Sequence, residues 1–151
     1  MADPSRRHAI LAVFASRLAA IQVANGYQTD AGLAVYLGVA PELGESDPDA
    51  AIAILAGDDV VKYQGENLAI DFPVILAAIA KADLAEPWAA IELLLDDIKR
   101  AVELPDRTLG KLVPRQILRG STRTLPREPG STTVGVGVTY VAPYVERWGA
   151  P

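Results

Sequence analysis

Apolar residues at Ile10, Val13, Phe14, Leu18 and Ile21 fall three and four apart, so the spacing predicts a helix over residues 5–23 with one apolar stripe. Asn25-Gly26 stops it, because both tolerate a left-handed backbone. Leu33, Val35 and Leu37 alternate with Ala34 and Tyr36, a period of two that predicts a strand over 33–37. Residues 38–50 carry two prolines, two glycines and the acids Glu42, Glu45, Asp47 and Asp49, which makes a long loop and a suspected working surface. Two short strands, 51–56 and 60–63, flank Gly57-Asp58-Asp59, a hairpin turn by composition. Gly65-Glu66-Asn67 turns the chain into a strand over 68–79. Its Pro73 lacks an amide donor and so predicts an edge or a bulge. An antiparallel meander follows from these turns.

Pro87 suits the first turn of a second helix, residues 86–103. Its face is formed by Trp88, Ile91, Leu95, Ile98 and Val102, with Asp96 and Arg100 able to pair on the outside. The stripe is too short for a coiled coil and reads as a core face. Residues 112–125 and 131–141 predict a closing hairpin across Pro129-Gly130. In its last strand Val134, Val136, Val138 and Tyr140 alternate with Thr133, Gly135, Gly137 and Thr139, a thin polar face that invites close approach. The expected fold is α+β: an antiparallel or mixed sheet with two main helices packed on one face, in the order α-β-β-β-β-α-β-β. Residues 1–141 form one domain, and 142–151, with Tyr144 and Trp148, form an extended tail.

Composition narrows the function. The chain has 151 residues, half of them apolar and 22% charged, enough for one core and too few charges for disorder. Cysteine is absent, which removes disulfides, thiolate zinc sites and cysteine nucleophiles. A Ser-His-Asp triad would have to use His8, the single histidine, which reads as a surface residue on the first helix. Asp47-Pro48-Asp49 and Asp58-Asp59 lack calcium-loop spacing and read as solvated acids rather than a magnesium site. Gly135-Val136-Gly137 lacks the rest of a dinucleotide fingerprint, and Gly110-Lys111 lacks the upstream glycine of a P-loop. No catalytic set, cofactor or metal site is expected. The apolar run 72–80 is about half a membrane span. Residues 9–16 imitate a short signal core that Arg17 interrupts. A soluble chain that stays in the cytoplasm is expected.

Charge is more informative. The net charge is −5, against nucleic-acid binding by the molecule as a whole. Residues 26–71 hold nine acids and only Lys62 as a base. Residues 99–127 hold eight bases against Glu103 and Asp106. If the fold keeps these segments apart, copies can join head to tail and close into a ring. No aromatic residue lies between Lys99 and Arg127, so base stacking has no support and protein contacts are favoured.

The segment ANGYQTDAGLAVYLG (24–38), the strand ending in GDD, the helix end DDIKRAVELPDRTLG (96–110) and VTYVAPY (138–144) together resemble the tail terminator, or tail completion, proteins of long-tailed bacteriophages and related particles. The likeness runs over nearly the whole chain. It implies a small α+β structural protein, not an enzyme. Such a protein forms a ring, usually a hexamer, that caps the major tail tube protein, stops its growth and receives the head connector. Assembly in the host cytoplasm and residence in the virion follow, with DNA only as cargo through the lumen. The resemblance carries no residue roles, so surfaces are nominated. Arg115, Arg119 and Arg123 are candidates for a ring or tube contact, because arginine forms bidentate interface pairs. Tyr144 and Trp148 are candidates for docking on a neighbour. Glu42, Glu45, Asp47 and Asp49, or Asp58 and Asp59, are candidates for an acidic lumen or partner loop. The alternatives are a head–tail joining or minor tail protein of similar size and, from another class, a small ligand-binding or enzymatic domain.

Overall fold

The computed structural model describes residues 5–43, 48–83 and 85–150. The elements are α1 (Arg6–Ala19), β1 (Val35–Leu37), β2 (Ala50–Ala56), β3 (Val60–Gln64), β4 (Asn67–Lys81), α2 (Pro87–Glu103), β5 (Leu118–Leu125) and β6 (Thr133–Arg147), with 3-10 turns at Val23–Asn25 and Ala31–Leu33. The fold is α+β in the expected order. Ser5 caps α1 by accepting from the His8 amide. The helix ends at Ala19, short of Val23, because a 3-10 turn and Gly26 at φ +87° redirect the chain.

The sheet is mixed, ordered β1-β2-β4-β6-β5, with β1 parallel to β2 and every other pairing antiparallel. Its spine is the β4–β6 pair, in unbroken register from Asn67 opposite Arg147 to Lys81 opposite Thr133. The expected meander is not formed. β2 and β3 do not pair with each other; both lie along the same side of β4, one after the other. Gly57-Asp58-Asp59 is therefore a break in a long strand and not a hairpin turn. Pro73 explains the break. The Gly57 amide donates to the Pro73 carbonyl at 2.8 Å, so the side of β4 on which proline lacks its N–H faces the interruption.

Alternation along the spine decides the layers. Ile70, Phe72, Val74, Leu76, Ala78 and Ala80 of β4 and Val134, Val136, Val138, Tyr140, Ala142 and Tyr144 of β6 are buried in one core with Ile10, Phe14 and Leu18 of α1 and Leu94, Ile98 and Val102 of α2. Both helices thus cover one face. The opposite face presents the half-buried Ile75, Ala77, Ile79, Thr139 and Val141. Close approach to the thin side of β6 comes from within: a Cβ on Gly135 would meet Leu125 Cδ1 at 3.2 Å.

Further boundaries move, and one face differs: the first strand starts at Val35, because Ala31–Leu33 is a 3-10 turn. β6 continues past Val141 to Arg147, so Tyr144 belongs to a strand and not to an extended tail. β5 begins at Leu118, not Leu112, because Leu109, Val113 and Ile117 turn inward and fill the core instead. Trp88, expected on the apolar face of α2, is 61% exposed.

Candidate functional site

The segments that carry the resemblance are docked on each other. Asp97 of α2 is 1% exposed, and its carboxylate accepts from the Gln28 amide, the Thr29 amide and the Thr29 hydroxyl, the last two at 2.7 Å. Arg100 donates to the Gly26 carbonyl at 2.8 Å and lies 4.7 Å over the Tyr27 ring. It therefore turns to this loop, and no Asp96–Arg100 ion pair is formed. Asp30 accepts from the Val23 amide and Asn25 donates to the Ala20 carbonyl. Gly32 is pressed on the end of α1, where an added Cβ would sit 2.6–2.7 Å from the carbonyls of Leu18, Ala19 and Ile21. The second motif is a self-capped turn: Asp106 accepts from the Thr108 amide and hydroxyl and from the Gly110 amide. These bonds, the Thr108 hydroxyl foremost, hold the Asp106 carboxyl below the ordinary range. Arg17 of α1 reaches the carbonyls of Val102 and Asp106, and its burial lowers the guanidinium pKa, partly offset by Asp106. Both motifs build scaffold. Asp97 was missed in the sequence, although it lies three after Leu94 and four before Ala101, inside the buried stripe.

The arginines nominated for one contact are separated. Arg119 and Arg123 would share a face of a regular strand. A β-bulge between Arg119 and Thr122 places Arg119 level with Tyr140 on the helix side and Arg123 level with Gly137 on the open side. Arg119 lies 3.5 Å from Glu103, which also accepts from the Tyr140 hydroxyl at 2.6 Å. Burial, and then the hydrogen bond to Glu103, raise the Tyr140 phenol far above its ordinary pKa. Arg115 precedes β5 and lines an open cleft of about 840 Å3 with Ile70, Asp71, Leu118 and Tyr144. Tyr144 is 2% exposed and donates to Glu146 at 2.7 Å, so it is a core residue and unavailable for docking; burial, then Glu146, raises its pKa as well. Trp148 is 60% exposed, with its indole N–H on the Gly65 carbonyl.

The acids do not form one cluster. Glu42 and Asp49 are exposed beside β1 and β2, and Glu45 and Asp47 lie outside the described residues. Asp58 and Asp59 sit at the other end of β2, roughly 30 Å from Asp49 by the rise of an extended strand. Asp59 is paired with Arg7 at 2.9 Å, and Arg7 also covers the Phe72 ring at 4.5 Å. What the topology does separate is the strands of the two charged segments: β1, β2 and β3 lie on the β4 flank of the spine and β5 on the β6 flank, although Arg100 crosses to Gly26 and Arg115 shares a cleft with Asp71. β5 is exposed along its whole length, with Leu118 and Leu125 at its ends.

His8 is exposed at the start of α1. Among the described residues no three His, Cys, Asp or Glu side chains are grouped to hold a metal ion. No helix in those residues is long and apolar enough to cross a membrane. No protein-family model matches the chain, and no curated protein matches it.

Proposed function

We propose that this chain is a non-enzymatic morphogenesis protein of a long-tailed phage or related particle, a tail terminator that forms a ring on the tail tube. The observation that carries the reading is that the exposed β5, with Arg119 and Arg123, lies on one flank of the sheet while the exposed acids Glu42, Asp49 and Asp58 lie in the loops of the other. A protomer with unlike flanks is suited to a heterologous, closing contact. The reading is also supported by the place of the resembling motifs, which set backbone geometry and leave the surfaces free for partners. In such a ring the exposed Asp58 is an acid available to a DNA-conducting lumen, since Asp59 is neutralised by Arg7. Particles lacking this chain should show tails of irregular length that fail to join filled heads in electron micrographs. Uniform tails attached to filled heads would overturn the reading. Labelled protein found at the head connector and absent from the end of the tube would favour the joining-protein alternative.

A further inference from the structure

Among the described residues the sheet has, besides the outer edge of β3, two free edges, β1 and β5, and these match each other. Register can be followed across every strand. Val35 is level with Ile52, Ala78, Val136 and Thr124; Leu37 is level with Ile54, Leu76, Val138 and Thr122. The short edge β1 thus lies at the height of the middle of β5, and the pairings make the two antiparallel. The Ala34 carbonyl and the Gly38 amide bond to β2, so the alternate residues Val35 and Leu37 aim their N–H and C=O groups outward. Among the described residues nothing pairs with that edge or with the outer edge of β5. Unpaired edges with exposed apolar residues are templates for strand addition. Here Leu33, Leu37 and Val39 are exposed by 60%, 66% and 56% on one side, and Leu118 and Leu125 by 51% and 40% on the other. Charge matches by height too. Leu125 is level with Ala51 through Gly135 and Ile79. Arg127, two residues beyond Leu125, therefore extends toward the same end as Asp49, two residues before Ala51. Arg123 is level with Tyr36, whose hydroxyl holds the Glu42 carbonyl.

We infer that β5 of one copy adds antiparallel to β1 of the next, continuing the sheet from protomer to protomer, with Arg123 and Arg127 facing Glu42 and Asp49 of the neighbour. Rotation about an axis along the strands keeps strand direction and height, so such a joint is open to repetition and closure. The inference rests on the ring reading and specifies its contact.

The cysteine-free chain permits a direct test. Leu37 is on the helix side of the sheet, as are Thr122 and Thr124, whereas Arg123 is on the open side. The variants Leu37→Cys/Thr122→Cys and Leu37→Cys/Thr124→Cys, oxidised at high protein concentration, should give a covalent ladder beyond the dimer. Leu37→Cys/Arg123→Cys should not. R123E/R127E should collapse the assembled species to the 16.0 kDa protomer in native mass measurements, E42K/D49K should do the same, and the quadruple variant should reassemble. Unchanged far-ultraviolet circular dichroism checks that each variant folds. Assembly that ignores both charge reversals and gives no same-face ladder overturns the joint but leaves the ring reading standing. A product that stops at the dimer, or a protomer that never cross-links, also overturns it. The ring reading itself falls only on tail length and head attachment.

Discussion

The clamp between the 26–32 loop and α2 and the arm formed by β5 are opposites. The clamp is dense in polar side chains, nearly all of them satisfied within the protein, around a carboxylate shut away from water. The arm is basic, exposed on both faces, and joined to the rest by one neighbouring strand. The difference teaches where specific sequence is needed. A buried charge must find donors at fixed positions, so Gly, Asn, Asp and Thr occur at strict intervals in the clamp. An exposed edge needs only backbone geometry, a few leucines and the right sign of charge, and it leaves little signature. The familiar motifs therefore mark the scaffold, and the surface proposed to work is plain in sequence.

The sharpest way to break this comparison is Asp97→Ala. It strands the amides of Gln28 and Thr29 and should cost about 3–4 kcal/mol in urea unfolding. A cost near that of a surface change would mean that the clamp holds nothing. Gly32→Ala comes next, at about 2–3 kcal/mol, because its Cβ would press on three backbone carbonyls that have no room to retreat. Tyr140→Phe should cost about 1–2 kcal/mol by removing one bond to a charged acceptor, and Glu103 keeps Arg119 as its partner.

A pH series sharpens the same contrast. The folded state raises the phenol pKa of Tyr140 and Tyr144, so their contribution is complete below about pH 10, where the unfolded tyrosine titrates, and is lost as pH climbs further. Stability measured from pH 9 to 12 should fall, and less steeply in Tyr140→Phe. For Asp106, whose pKa is depressed, the sign reverses: its contribution is present above about pH 4 and disappears as the solution is acidified. The smallest effect belongs to the arm. Arg123→Ala should alter protomer stability by less than about 0.5 kcal/mol, and a cost of several times that would place Arg123 in the scaffold after all.

Much of the fold was legible along the chain. The alternation of β4 and β6, the stripe of α1 and the proline at the head of α2 each have a local cause, and they specify element type and order. Pro73 was legible as a bulge or edge marker, and what it marks is the break between β2 and β3. The partners were not legible. Nothing near Gly57-Asp58-Asp59 says that β2 and β3 share one side of β4, since a two-acid turn and a strand break have the same composition. Tyr144 read as part of an extended tail; only its register opposite Ile70 puts it in the core. Arg119 and Arg123 face opposite sides of the sheet for a local reason invisible in sequence, a bulge at Gly120-Ser121.

The sequence by itself determined what depends on neighbours a few residues apart: periodicity, helix starts and stops, the absence of thiol chemistry, and two segments of unlike charge. Only the tertiary structure decided what depends on residues far apart. It set Asp97 against Thr29, drew Arg100 away from Asp96, and put β5 with its arginines on the flank of the sheet opposite β1, β2 and β3. Backbone propensity and side-chain alternation act locally, whereas pairing partners and the burial of a charge are settled when the whole chain packs.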